Sequence, residues 1–414
     1  MNNVSTGQSL THRALNTTVI VAALGYFVDI YDLILFGVVR KPSLQSIGLQ
    51  PQEIFDKGIS LLNWQMAGMM LGGVVWGILG DKRGRLSVLF FTILLYSLAN
   101  IANAYVQDYS QYVVLRFIAG FGLAGELGLG ITLVSEIMST KNRGYGTTIV
   151  GFVGVLGAVL AYFVSIKFNW QSAYIVGGVL GLALLVLRIL VKESGMFNKI
   201  KTASADRGQF YKIFTNKKRL LKYFYCICLG LPVWYIIGLL VNFSSEFAQK
   251  VFHIEGEINA GKAIMIHYVG ASIGSLLWGV ISQLLHSRRK ALMIAMYSMV
   301  MMAGVYFSSF GMSADAFYTI ILLLGITQGY WTVFITVASE QFGTNLRATV
   351  TTTVPNFVRG SFIGVSALFS LLKTTQLGMW NAAILVGVIS IGLGFLALYK
   401  LQDTYNKDLD YLED

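Results

Sequence analysis

Charge is what this sequence has least of. Of its 414 residues only 12% are Asp, Glu, Lys or Arg, roughly half of the quarter found in soluble domains. Histidine is scarcer still. The four present, His12, His253, His267 and His286, are scattered, so no metal-ligand cluster forms and no metal is expected. No glycine-rich phosphate loop occurs, which argues against ATP-driven chemistry. No nucleophile–base pair stands out, so an enzyme is not expected. The two cysteines, Cys226 and Cys228, lie within one apolar run. A lone Cys-x-Cys in a helix is neither a metal site nor a disulfide, so they read as packing residues.

What replaces charge is hydrocarbon: 55% of the chain is hydrophobic and the mean hydropathy is +0.65. The apolar runs recur along the whole length at about 20 residues each, the length that crosses a ~30 Å hydrocarbon core. Twelve spans are expected, over 17–39, 58–79, 86–105, 110–134, 145–167, 171–191, 220–243, 260–285, 289–309, 316–338, 348–372 and 378–400. Their continuity rules out barrel strands, which would alternate. The fold class is an all-α membrane protein. A net charge of +11 does not imply a nucleic-acid partner, because the bases sit in the connections. The long polar connection at 192–219 holds Lys199, Lys201, Arg207, Lys212, Lys217, Lys218 and Arg219. By the positive-inside rule it is cytosolic, with both termini on the same side of a cytoplasmic (inner) membrane. Met1 to Asn16 is polar, so a cleavable signal is not expected. The connection divides the chain into an N-terminal six-helix bundle, 1–191, and a C-terminal one, 220–414.

The stretch Gly77 to Arg85, Gly-Ile-Leu-Gly-Asp-Lys-Arg-Gly-Arg, joins the second and third spans. One acid and three bases there must lie at a membrane surface, and Asp81 can latch onto bases across the loop. Gly77, Asp81, Lys82, Gly84 and Arg85 resemble the loop signature of the major facilitator superfamily, with Leu86 where a last base would stand. Arg116-x-x-x-Gly120-x-Gly122 resembles the family's fourth-span signature. The run to Glu126, and Glu340-x-Phe342-Gly343-Thr344-x-x-Arg347, are similar to the branch of sugar, organic-acid and metabolite:proton symporters. Gly343 and Gly195, after Lys192-Glu193-Ser194, stand where that branch has proline. The halves echo one another: Ser135-Glu136 then Arg143, Ser339-Glu340 then Arg347. A second loop, Gly279 to Lys290, repeats the first, with Gln283 where an acid is expected, leaving that latch incomplete. The resemblance implies two pseudo-symmetric six-helix bundles around a site near mid-membrane. It also implies a cytosolic gate built from Gly77, Asp81, Arg83, Gly84, Arg85, Glu136, Arg143, Glu340 and Arg347.

Ionisable groups inside spans are costly and functional by default. Here they are Asp29, Asp32, Arg116, Glu126 and Arg359, with His267 a weaker sixth. Asp29 and Asp32 share one helix face, and Asp32 and Arg116 fall at similar depth. One carboxylate is expected to be held by Arg116 while the other takes up a proton; which does which stays open. A permanent clamp between spans one and four would explain only one of them. Glu126 reads equally as a second proton stop, a gate partner for a base, or a structural acid. Arg359 has no acid in its own half. Its anion is expected to be the substrate, for which guanidinium offers a bidentate fork; Asp29 or Asp32 reaching across is the alternative. Organic-anion members of the family also use a cation in span eleven. Asn356 lies on the face of Arg359. Asn63, Gln65, Trp234, Tyr235, Gln328, Tyr330 and Trp331 lie at plausible cavity depth, and His267 is as readily a packing residue. Gly151, Gly154 and Gly157 suggest close helix packing.

The expectation is a monomeric secondary transporter that moves a small anionic metabolite with a proton, with no cofactor beyond the proton gradient. A proton-driven exporter of drugs or metabolites is the alternative.

Overall fold

The computed structural model describes residues 5–83, 85–126, 128, 143–188 and 210–407. Every expected span is mainly helical in the part described, with short breaks in several. Spans one to four are Ser5–Ser46, Ile54–Arg83, Arg85–Asn103 and Tyr109–Leu123. Span five is Arg143–Val155 and Gly157–Lys167, broken at Leu156, and span six is Trp170–Arg188. Span seven begins as Lys217–Trp234 and continues as a π-helix, Tyr235–Val241. Spans eight and nine are Ala260–Leu284 and Arg288–Phe307. Span ten is Ala314–Gln328 and Trp331–Glu340; spans eleven and twelve are Thr344–Lys373 and Gly378–Lys400. Among the described residues nine stretches are long and apolar enough to cross a membrane.

Each half is held by the same device. In the first, Gly68 and Gly72 of span two meet the Phe117 and Phe121 carbonyls, and Gly120 of span four meets that of Gln65. In the second, Gly270 and Gly274 of span eight meet Leu322 and Ile326, and Gly325 of span ten meets His267. A Cβ at any of these six would lie 2.1–2.3 Å from a backbone oxygen. No side chain fits there, so the backbones touch. A tryptophan marks the same place twice. Trp76 Nε1 donates to the Phe121 carbonyl at 2.6 Å, and Trp278 Nε1 to that of Ile326 at 2.8 Å. The pseudo-symmetry expected from the sequence thus extends to a pair of matched interlocked helices.

The halves meet along spans two and eleven, and where spans one and five pack on span eight. Gly154 and Gly157 let span five close on Tyr26 and Phe27 of span one, while Gly151 faces Thr332 across the halves. Cys226 and Cys228 are buried and free. Span seven departs from the single helix expected over 220–243. Pro232 removes a backbone donor within it, and the π-helix runs into a turn at 242–243 before a short helix, Ser244–Phe247.

Candidate functional site

Asp29 of span one and Arg359 of span eleven meet where the halves join. Arg359 Nη2 lies 3.5 Å from Asp29 Oδ2, with both side chains buried. At that distance and an effective dielectric near 20 the attraction is about 5 kcal/mol. Desolvation of two ions offsets most of it, so the pair is a balanced contact open to competition. Here the alternative holds: Asp29 reaches across to Arg359, where the substrate was expected to supply the anion. The Arg359 anion is present, supplied by the other half.

Around the pair the halves are stitched by amides. Asn356 Nδ2 donates to the Ala124 carbonyl of span four at 2.7 Å, and Asn356 Oδ1 accepts from Arg359 at 3.4 Å. Ser366 donates to Asn63 Oδ1 at 2.9 Å, again from half to half. Tyr26 lies against Trp331 and within electrostatic reach of Asp29 and Arg359, and Tyr268 shares that environment. Both tyrosines are buried. The sequence reading missed them because an aromatic in an apolar run carries no signal of its own. The result is an acid and a guanidinium flanked by two phenols and an indole.

Arg116 is held differently from expectation. Its Nη2 donates to Asn100 at 2.8 Å, its Nε to Asn103 at 3.3 Å, and its guanidinium lies 4.8 Å from the Tyr174 ring centroid. Asp32 is within its electrostatic reach yet makes no ion pair among the described residues. Two neutral amides of span three, unremarkable in sequence, do the holding. Asp32 is therefore the buried acid without a contacting cation.

Glu126 has a base for a partner. It is ion-paired with Arg188 of span six, both buried, against Gly25 of span one. The pair lies within one half. Arg188 escaped notice because it stands near a span end, where a base normally snorkels to the surface.

Several other candidates lie inside a single half. Gln65 donates to the Leu33 carbonyl, Gln328 to that of Val233, Tyr235 to that of Ala383 and Tyr330 to that of Leu229. His267 is buried beside Gln328, and Trp234 packs at 6.4 Å on Phe362. The site does not gather them.

Of the expected gate, Gly77 packs on Thr352 and Thr353 of span eleven, and Arg83 is exposed. Gly84, Glu136 and the side chains of Asp81, Arg85 and Arg143 lie outside the described residues. In the second half Glu340 pairs with Arg288 at 3.7 Å, with Arg347 nearby. The acid missing at Gln283 has a substitute. Asp403, beyond span twelve, accepts from the Ser287 hydroxyl and from the Arg288 N–H at 3.1 Å. Burial pushes the Asp403 carboxyl up, but hydrogen bonds from Ser287 and from the backbone of Tyr405, Arg288 and Arg289 outweigh it and hold it below the usual aspartate range.

A family model described as "Major Facilitator Superfamily" matches residues 22–360. The chain belongs to that family. It is therefore a multi-pass integral membrane transporter, with the fold of two six-helix bundles. Over 351 residues it is 26% identical to a Bacillus subtilis protein named for niacin and nicotinamide transport, covering 82% of this chain and 84% of that one. It is 29% identical over 195 residues to a 4-hydroxybenzoate transporter of Pseudomonas putida, covering 46% and 42%. Several of the curated relatives are matched over about half of their length or less. The proton:xylose symporter XylE superimposes with a TM-score of 0.73 at 14% identity, covering 96% of this chain and 98% of that one. At such identity the likeness concerns the fold.

Proposed function

We propose that this family member carries a small aromatic or heteroaromatic carboxylate across the cytoplasmic membrane together with a proton. The observation that carries the reading is the Asp29–Arg359 pair, which joins the two halves between aromatic side chains. A carboxylate substrate and the Asp29 carboxylate compete for one guanidinium. Protonation of Asp29 releases Arg359 to the substrate, so proton and anion are taken up together. Tyr26, Trp331 and Tyr268 offer faces and edges for an aromatic ring. Niacin and 4-hydroxybenzoate in the relatives' names support that class, since both join a ring to a carboxylate, while nicotinamide, also named there, is the amide that the test below sets against the acid. The basic connection at 192–219 supports cytosolic termini, and the site needs no second subunit, so a monomer suffices.

The test is proteoliposome uptake of a panel of ring carboxylates and their amides, with and without an inward proton gradient. We expect one acid to accumulate, its amide to be ignored, accumulation to collapse with a protonophore, and Arg359→Ala to bind none of it while remaining folded. Efflux driven by the same gradient would install the exporter reading instead. Uptake of amide and acid alike, or unchanged affinity in Arg359→Ala, would remove Arg359 from the site.

A further inference from the structure

A second line of polar groups runs inside the N-terminal half, away from the joint between the halves. Gly25, Asp29 and Asp32 share one face of span one, and Gly177, Gly181 and Arg188 share one face of span six. Along these faces the neighbours follow in order. A Cβ at Gly177 would collide with Asp32 Oδ1. One turn on, a Cβ at Gly181 would collide with Ser97 Oγ and lie 3.0 Å from the Tyr96 ring. Further along, Arg188 pairs with Glu126, and both lie against Gly25. From Asp32 to Gly25 the line covers roughly 10 Å of span one, toward the face that carries the chain termini. Span six offers no side chain at Gly177 or Gly181, so its backbone, and not an apolar group, borders Asp32, Ser97 and Tyr96 there.

The groups on this line are short of partners. Tyr96 and Ser97 are fully buried, and neither hydroxyl has a hydrogen-bond partner among the described residues. The same holds for Glu126 Oε2 and both carboxylate oxygens of Asp32. An unmet hydroxyl in a dry interior costs about 1–3 kcal/mol, and phenylalanine would fill the Tyr96 position without that cost. Packing therefore does not account for the hydroxyl. What it faces is charge: Glu126, Asp32, Asp29 and Arg188 all act on it electrostatically. The other charged and titratable neighbours stand at the far end of the line, where Arg116 acts on Asp32 and Asp32 on Tyr174. Tyr96 is thus within reach of all three intramembrane acids of its half.

We propose that proton and cargo leave by different routes, the cargo between the halves and the proton through the interior of the N-terminal half, with Tyr96 as its relay. The proton taken up at Asp29 passes to Asp32, its neighbour on the same face. Asp32 gives it to the Tyr96 oxygen while the Tyr96 hydroxyl proton goes to the Glu126 carboxylate, directly or across a bridging water. Only O–H bonds form and break, and Tyr96 ends neutral. A proton on Glu126 cancels its attraction for Arg188. Arg188 then draws the carboxylate back into the ion pair, and the proton passes to the side of the termini. This rests on the proton-coupled reading above and adds the route. Asp29 is the one member that the route shares with the pair at Arg359.

The test compares the full-length wild type with Tyr96→Phe in proteoliposomes, with 4-hydroxybenzoate and nicotinate as probes. Net uptake driven by a proton gradient requires the proton to be released, whereas counterflow exchange does not. We expect Tyr96→Phe to slow net uptake roughly tenfold or more, as loss of a proton-transfer group does, and to slow it further in D2O. Counterflow is expected at the wild-type rate, and the thermal unfolding midpoint at or above the wild-type value, because an unmet hydroxyl has been removed. Net uptake at the wild-type rate in Tyr96→Phe would overturn the relay and leave proton coupling standing. Equal loss of net uptake and counterflow would also overturn it, by showing Tyr96 to be a packing residue. A wild type that accumulates neither probe, or does so without regard to the gradient, would overturn the coupled reading and the relay together.

Discussion

Replacing Asp29 with Asn removes the charge opposite Arg359 while keeping the shape of the side chain. The Coulomb attraction at 3.5 Å is about 5 kcal/mol at an effective dielectric near 20. Desolvation cancels much of it in the resting protein, and what remains is what a substrate anion must overcome. Taking that remainder as ~1.4–2.8 kcal/mol, the Asp29→Asn variant should bind the carboxylate roughly ten- to a hundred-fold more tightly. The sign of the pH effect follows. In the wild type a proton on Asp29 frees Arg359, so affinity is high at acid pH and falls as pH rises through the titration of Asp29. In Asp29→Asn that dependence disappears. Calorimetric titration with nicotinate or 4-hydroxybenzoate at acid and alkaline pH reads both quantities, and counterflow reads transport. The variant should exchange substrate yet fail to accumulate it against a gradient. Wild-type affinity with the wild-type pH slope in Asp29→Asn would refute the competition, and Asp32, buried without a contacting cation, would be the next carboxylate to test.

Two further outcomes follow from the geometry. Gly325→Ala would place a Cβ 2.1 Å from the His267 carbonyl oxygen, and such overpacking costs about 1–3 kcal/mol; the midpoint of thermal unfolding in detergent should fall. Gly364→Ala, with nothing within 4 Å, should be neutral or gain up to ~1 kcal/mol from helix propensity. Asp403→Asn should release the segment after span twelve from Ser287 and Arg288, read as faster tryptic cleavage at Arg288–Lys290 at neutral pH. Because the Asp403 pKa is lowered, docking in the wild type is fully present above the ordinary aspartate value of about 3.9 and is lost only as pH falls below it.

The span pattern and the buried ions were legible in sequence, because an apolar run of this length has one use and an ion inside it demands a reason. Partnership was not. Asp29 and Arg359 are 330 positions apart, and nothing in either neighbourhood says which helices cross at that depth. Charge looks for charge, which points Arg116 to a carboxylate, whereas Asn100 and Asn103 hold it with neutral amides that resemble any polar residue in a span. Arg188 and Arg40 read as surface bases near span ends. Asp403 lies outside the loop whose missing acid it replaces. Span seven offers only Pro232 as a sign of irregularity, and a proline alone does not distinguish a kink from a π-helix.

The ion pairs among the described residues sort by whether they cross between halves. Glu126–Arg188 and Arg288–Glu340 stay within one half, as does Arg116 with its asparagines. These hold a bundle together as it moves. Arg40–Glu246, Asp56–Lys373 and Asp29–Arg359 cross, and any rocking of one half on the other must break or remake them. A crossing contact of large net strength would freeze the cycle. A buried ion pair such as Asp29–Arg359 suits the task because its attraction and its desolvation nearly cancel, and an exposed one such as Asp56–Lys373 because it is weak. In the proposed cycle the middle pair differs from the outer two in one respect: both of its members would be satisfied by cargo, the carboxylate by a proton and the guanidinium by an anion. Loading both therefore removes a tie between the halves without leaving an unpaired charge behind, whereas loading either one alone leaves such a charge in a dry site. Under the proposed function that asymmetry would be a physical basis for coupling, and it would require only Asp29 and Arg359.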